Sequence, residues 1–140
     1  MQSSRRQPES LQPTFFLDRG LGKRHVAGVF NAAGLTTVLM ADVFPHDGQE
    51  VSDGDWIQRA SEAGWVVLTK DAAIVRDHSD ALMASTLRVF ALPNANLTGP
   101  EMAARFEANL HRILQRSRKR GPFVDVVHPS RVERRWPPAD

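Results

Sequence analysis

The chain has 140 residues, 41% hydrophobic and 24% charged, with no cysteine and a formal net charge of +2. That composition fits one globular domain with a sizeable core, and it excludes disulfides, thiolate zinc sites and cysteine nucleophiles. No apolar run approaches the roughly 18 residues of a membrane span, and the opening MQSSRRQPESLQP lacks a signal's apolar segment, so the cytoplasm is the expected location.

Residues 1–12 are polar and aperiodic and are expected to form a disordered tail, with one domain over 13–136. Thr14 to Leu17 reads as a short buried strand closed by Asp18. Val26, Val29, Phe30 and Ala33 follow at helical spacing and stop at Gly34. Thr36 to Ala41 is β-branched and apolar, a second strand; the stretch 43–51, with Pro45, Asp47 and Gly48, reads as a loop. Ser52 with Asp55 three residues on predicts an N-cap, and the helix behind it runs to Ala63 and stops at Gly64. Trp65 to Leu68 is a third strand, 71–86 a weakly patterned helix, and Leu87 to Leu92 a fourth strand. Thr98-Gly99-Pro100-Glu101 is a capping box opening a helix expected to reach Arg120, with Met102, Phe106, Leu110, Ile113 and Leu114 as its apolar stripe. Phe123 to Val127 gives a fifth strand and Val132 to Trp136 a short antiparallel sixth. Alternating strands and helices predict a three-layer α/β/α sandwich with a mostly parallel central sheet.

Charge is unevenly spread. Arg112, Arg116, Arg118, Lys119, Arg120, Arg131, Arg134 and Arg135 crowd the last thirty residues against three acids there, whereas acids outnumber bases before them. A basic flank beside an acidic centre suits the rim of a phosphate-handling site; a solvated helix end explains Arg116 to Arg120 equally well.

Asp18, Asp53 and Asp71 each stand where an apolar run meets a loop or a helix start. Strand carboxyl ends in a parallel sheet converge on one edge, where ligands bind. Carboxylates gathered there repel one another unless a cation holds them, and Mg²⁺ or Mn²⁺ prefers such oxygen ligands, so metal-assisted phosphodiester cleavage is the leading chemistry. Singly, each Asp serves as well as a turn or cap residue, and acids in the first helical turn, Asp53 and Asp55 included, stabilise a helix anyway. Nucleotide-cradling glycine motifs and the G-x-S-x-G elbow are absent, and the five histidines show no H-x-x-x-H spacing, which argues against zinc. Trp56 and Trp65 read as core residues.

Three segments resemble the PIN-like domain family related to VapC-type toxin ribonucleases: FFLDRGLGKRHVAGVFNAAG, SDGDWIQRASEAGWVVLTKD and LRVFALPNANLTGPEMAARF, together spanning about residues 14–106. The resemblance implies a Mg²⁺- or Mn²⁺-dependent ribonuclease with Asp18, Asp53 and Asp71 as first, third and fourth catalytic acids and metal ligands. Ordinary members place a helical Glu between the first and third. This chain has none there, which leaves Asp42, Glu50 and Asp55 as the available acids. By adjacency, Lys70 and Arg19 would hold the scissile phosphate, Lys23 and Arg24 would extend the RNA-binding surface, and Thr69 and Ser52 would orient a carboxylate or water. The family further implies an RNA substrate, an antitoxin protein as partner, frequent homodimers and no membrane association. The competing class is a PIN-like module that binds RNA or protein without cutting, as the missing Glu would allow. A phosphate-accepting receiver domain is disfavoured because Asp18 has no acidic neighbour.

Overall fold

In the computed structural model, which describes residues 12–94 and 96–138, one six-stranded sheet carries the chain. The strands are β1 (Thr14–Leu17), β2 (Thr36–Leu39), β3 (Val66–Thr69), β4 (Arg88–Ala91), β5 (Phe123–Val127) and β6 (Val132–Trp136). Their spatial order is β2-β1-β3-β4-β5-β6, parallel throughout except for the antiparallel β5–β6 pair. Six α-helices connect them: α1 (His25–Ala32), α2 (Met40–Val43), α3 (Asp53–Ala63), α4 (Ile74–Met83), α5 (Gly99–Ala108) and α6 (Leu110–Arg116).

The three-layer arrangement follows from strands that are apolar on both faces. Phe15, Leu17, Val66, Leu68 and Phe90 point to one side, into a core shared with Val26 and Phe30 of α1, Met102 and Phe106 of α5 and Ile113 of α6. Phe16, Val67, Val89 and Ala91 point to the other, against Trp56, Ile57 and Ala60 of α3 and Ile74 and Leu82 of α4. The expected α/β/α sandwich is thus the fold, including the antiparallel sixth strand.

Local departures from the expected elements have identifiable causes. The second strand ends at Leu39, not Ala41, because Asp42 Oδ2 accepts the Leu39 N–H at 2.8 Å and turns the chain into α2; a 3-10 turn over Pro45–Gly48 follows where a loop was expected. The helix after β3 starts only at Ile74, since Asp71 Oδ1 accepts the Ala73 N–H at 3.0 Å and holds residues 71–73 in a turn. The single helix expected up to Arg120 is two. Asn109 leaves the helical path and donates its side-chain amide to Arg105 O at 2.9 Å and to His128 O at 2.8 Å. Gly64, at φ 74°, closes α3 in the left-handed conformation, as its position predicts. Residues 1–11 of the expected tail lie outside the described residues.

Candidate active site

The strand order 2-1-3-4-5 reverses direction at β1: the chain leaves β1 toward β2, then returns across β1 to build β3, β4 and β5. At such a switch point the connections splay apart and leave a crevice beyond the strand carboxyl ends. Asp18 follows β1 and Asp71 follows β3, so both stand at that crevice, and the start of α3 brings Asp53 to the same edge.

Thr69, buried at the end of β3, organises the first two. Its hydroxyl donates to Asp18 Oδ2 at 2.9 Å and accepts the Asp71 backbone N–H at 3.0 Å. Asp53 is held on both oxygens: Oδ1 accepts the Trp56 indole N–H at 2.8 Å, one turn along α3, and Oδ2 lies 2.8 Å from His78 Nε2 on α4.

Burial pushes the Asp18 carboxyl above its usual pKa; the Thr69 hydroxyl and the Arg19 backbone N–H pull it back, and the charges of Asp53 and then Asp71 push it up further. Asp53 and Asp71 thus stand near enough for their charges to act on Asp18. Their oxygens are the hard donors that Mg²⁺ or Mn²⁺ takes, so the donor chemistry fits such an ion. Among the described residues, no three His, Asp or Glu side chains stand within reach of a common ion in this geometry.

Asp42 sits on the same edge, after β2, with one oxygen engaged by the Leu39 N–H. Asp55 is exposed in the first turn of α3, where its backbone N–H bonds Ser52 Oγ at 3.1 Å; Ser52 is thereby a helix cap. Neither Asp42 nor Asp55 is among the charges acting on Asp18. Lys70 lies over Gly20, its Cε 2.8 Å from where a β-carbon would stand, so the lysine stem crosses the loop after β1. Arg19, Lys23 and Arg24 are exposed on that loop, beside a shallow cleft bounded by Gly20, His25, Gly99 and Met102.

Part of the C-terminal basic flank falls elsewhere. Arg118, Lys119 and Arg120 precede β5, and Arg88, at the start of β4, donates to Ser117 O and, at 2.9 Å, to Gly64 O before β3. Arg118 to Arg120 therefore lie on the amino-terminal edge of the sheet, opposite the aspartates, and are not the rim of their crevice, whereas Arg135 stands beside Ala72 and Ala73. His78 is the site neighbour that spacing arguments passed over. Its only signal was its place two turns after Asp71, which any surface histidine could share.

Residues 13–94 match the family described as PIN-like domain. A curated protein of Mycobacterium tuberculosis named "Putative ribonuclease VapC45" is 34% identical over 122 residues, covering 85% of this chain and 88% of the relative. No solved structure matches the chain significantly.

Proposed function

The chain belongs to the PIN-like domain family, and from that premise we propose that it is a metal-dependent endoribonuclease, the toxin of a toxin–antitoxin pair, acting in the cytoplasm. The observation that carries this reading is the Thr69 hydroxyl bridging Asp18 and the Asp71 backbone at the carboxyl edge of the sheet, the edge to which the start of α3 brings Asp53. Asp18 and Asp71 follow the neighbouring strands β1 and β3 and Thr69 joins them, and carboxylates gathered at such an edge suit a hard divalent cation. The name of the mycobacterial relative supports RNA as the substrate. No helix among the described residues is long and apolar enough to cross a membrane.

Asp18, Asp53 and Asp71 would hold the Mg²⁺ or Mn²⁺, with Asp42 and Asp55 as outer acids. Such an ion, when bound, lowers the pKa of a coordinated water and offsets charge developing on the phosphate. The chain's own groups supply the positioning. Thr69 fixes the Asp18 carboxylate and the turn that carries Asp71. Lys70, steadied against Gly20, offers a compact positive charge to the scissile phosphate. Arg19, Lys23 and Arg24 hold flanking phosphates of the strand. An acidic crevice also suits an antitoxin segment that neutralises the carboxylates with its own cations.

Cleavage of labelled single-stranded RNA in Mg²⁺, Mn²⁺ and EDTA, beside Asp18→Asn and Asp71→Asn, tests the reading. Metal-dependent cutting lost in EDTA and in both variants is the expected result. The absence of a ready three-ligand group among the described residues favours a second reading, a binding module. Wild-type protein that binds RNA and cuts none under any metal would establish it.

A further inference from the structure

Asp53 is the one acid of the site that is tied by side chains on both oxygens. Trp56 is its neighbour one turn along the same helix, so that bond comes with α3 itself. The second bond is different in kind: His78 reaches Asp53 Oδ2 from α4, the helix that follows Asp71, and so links the two halves of the crevice. The backbone of α4 leaves helical geometry at His78 itself, with φ −137° and ψ 33°. Neither Pro nor Gly occurs within Ile74–Met83 to impose that break. The His78 ring is only about a quarter exposed (29%), whereas the Asp53 carboxylate is half exposed (51%). The packed partner is thus the histidine, and the carboxylate is what it restrains.

We propose that His78 is the positioning residue of the site. Its Nε2–H donates to Asp53 Oδ2 and fixes the orientation of that carboxylate at the carboxyl edge of the sheet. The inference rests on the ribonuclease reading above. With Trp56 on one oxygen and His78 on the other, Asp53 cannot rotate, yet each oxygen keeps a lone pair free. Outer groups that orient a ligand in this way commonly set metal affinity by about 10–100-fold. The restraint comes from the helix after β3.

The test is Mn²⁺ binding by titration calorimetry on the full chain without RNA, for wild type, His78→Ala and His78→Gln, with folding checked by circular dichroism. Gln keeps an N–H donor at similar reach. The expected result is Mn²⁺ affinity about 10–100-fold weaker in His78→Ala and restored to within a few-fold in His78→Gln. Wild-type or tighter affinity in His78→Ala overturns the inference while leaving the ribonuclease reading intact. Equal losses in Ala and Gln overturn it too, because a donor alone would then not suffice. Wild type that binds no Mn²⁺ overturns both. RNA cleavage at saturating Mn²⁺ gives an independent readout: a positioning role predicts that kcat recovers in His78→Gln together with affinity.

Discussion

Thr69 donates its hydroxyl to Asp18 at 2.9 Å from the neighbouring strand, so the acid after β1 is oriented by the last residue of β3. The same oxygen accepts the Asp71 N–H, which makes one buried side chain the hinge of two site acids. Valine has nearly the same shape but neither donates nor accepts. Thr69→Val is therefore expected to leave the Asp71 N–H without its acceptor, to cost about 1–3 kcal/mol of stability, and to weaken Mn²⁺ binding about 10–100-fold. Thr69→Ser keeps the hydroxyl and should retain most of both. Denaturant unfolding and calorimetry on the two variants decide it; a Val variant that binds Mn²⁺ like wild type would remove Thr69 from the site.

Burial first, and then the charges of Asp53 and Asp71, raise the pKa of Asp18, so its surroundings disfavour the ionised carboxylate. In EDTA, Asp18→Asn should therefore raise the melting temperature. The Asn carbonyl can still accept from Thr69. The native carboxyl binds its proton more tightly than the unfolded chain, whose value is near 3.8, so wild type gains stability as pH falls through the raised value, and the gain is complete below 3.8. The difference between variant and wild type should close across that window in a thermal scan series. A difference that stays constant down to about pH 3.5 would contradict the raised pKa.

Much of this site was legible in the chain. Phe15-Phe16-Leu17 and Val66-Val67-Leu68 are apolar on both faces, as only central parallel strands are, so the acids after them had to gather at one edge. The Thr98/Glu101 capping box forms with both reciprocal bonds, at 2.8 and 3.3 Å. Local chemistry of that kind is written in spacing. What spacing did not carry was long-range. Arg118 to Arg120 suited a phosphate rim and a solvated helix end equally, and only the topology put them at the opposite edge. Asn109 divides a periodic apolar stripe because its amide finds a carbonyl nineteen residues ahead, at His128. His78 meets Asp53 only because α3 and α4 pack side by side on one face of the sheet.

Asp125 is fully buried on β5 between two arginines: Arg116 of α6 on one oxygen and Arg134, its cross-strand partner on β6, on the other at 2.9 Å. Removing the carboxylate leaves two guanidinium groups facing each other with partial burial. Asp125→Asn is expected to cost about 3–5 kcal/mol, seen as a large fall in denaturation midpoint. The middle of β5 is remote from the aspartate crevice, so Mn²⁺ affinity of the folded variant should match wild type. A midpoint within error of wild type would show that the triad contributes specificity rather than stability.

The two basic surfaces should separate functionally, because they lie on opposite edges of the sheet. Lys23 and Arg24 are exposed on the loop that Asp18 opens. Lys119 and Arg120 are exposed before β5, beyond the far ends of the strands. On a short single-stranded RNA, Lys23→Gln/Arg24→Gln should raise KM about 10-fold and flatten the salt dependence by about 0.7 in log–log slope for each phosphate no longer neutralised. Lys119→Gln/Arg120→Gln should change neither, since a short strand in the crevice cannot also reach the opposite edge. Cleavage kinetics across a salt series measures both. If the distal pair carried the larger effect, the RNA path proposed across the Asp18 loop would be wrong, and the strand would have to run around the sheet to the amino-terminal edge.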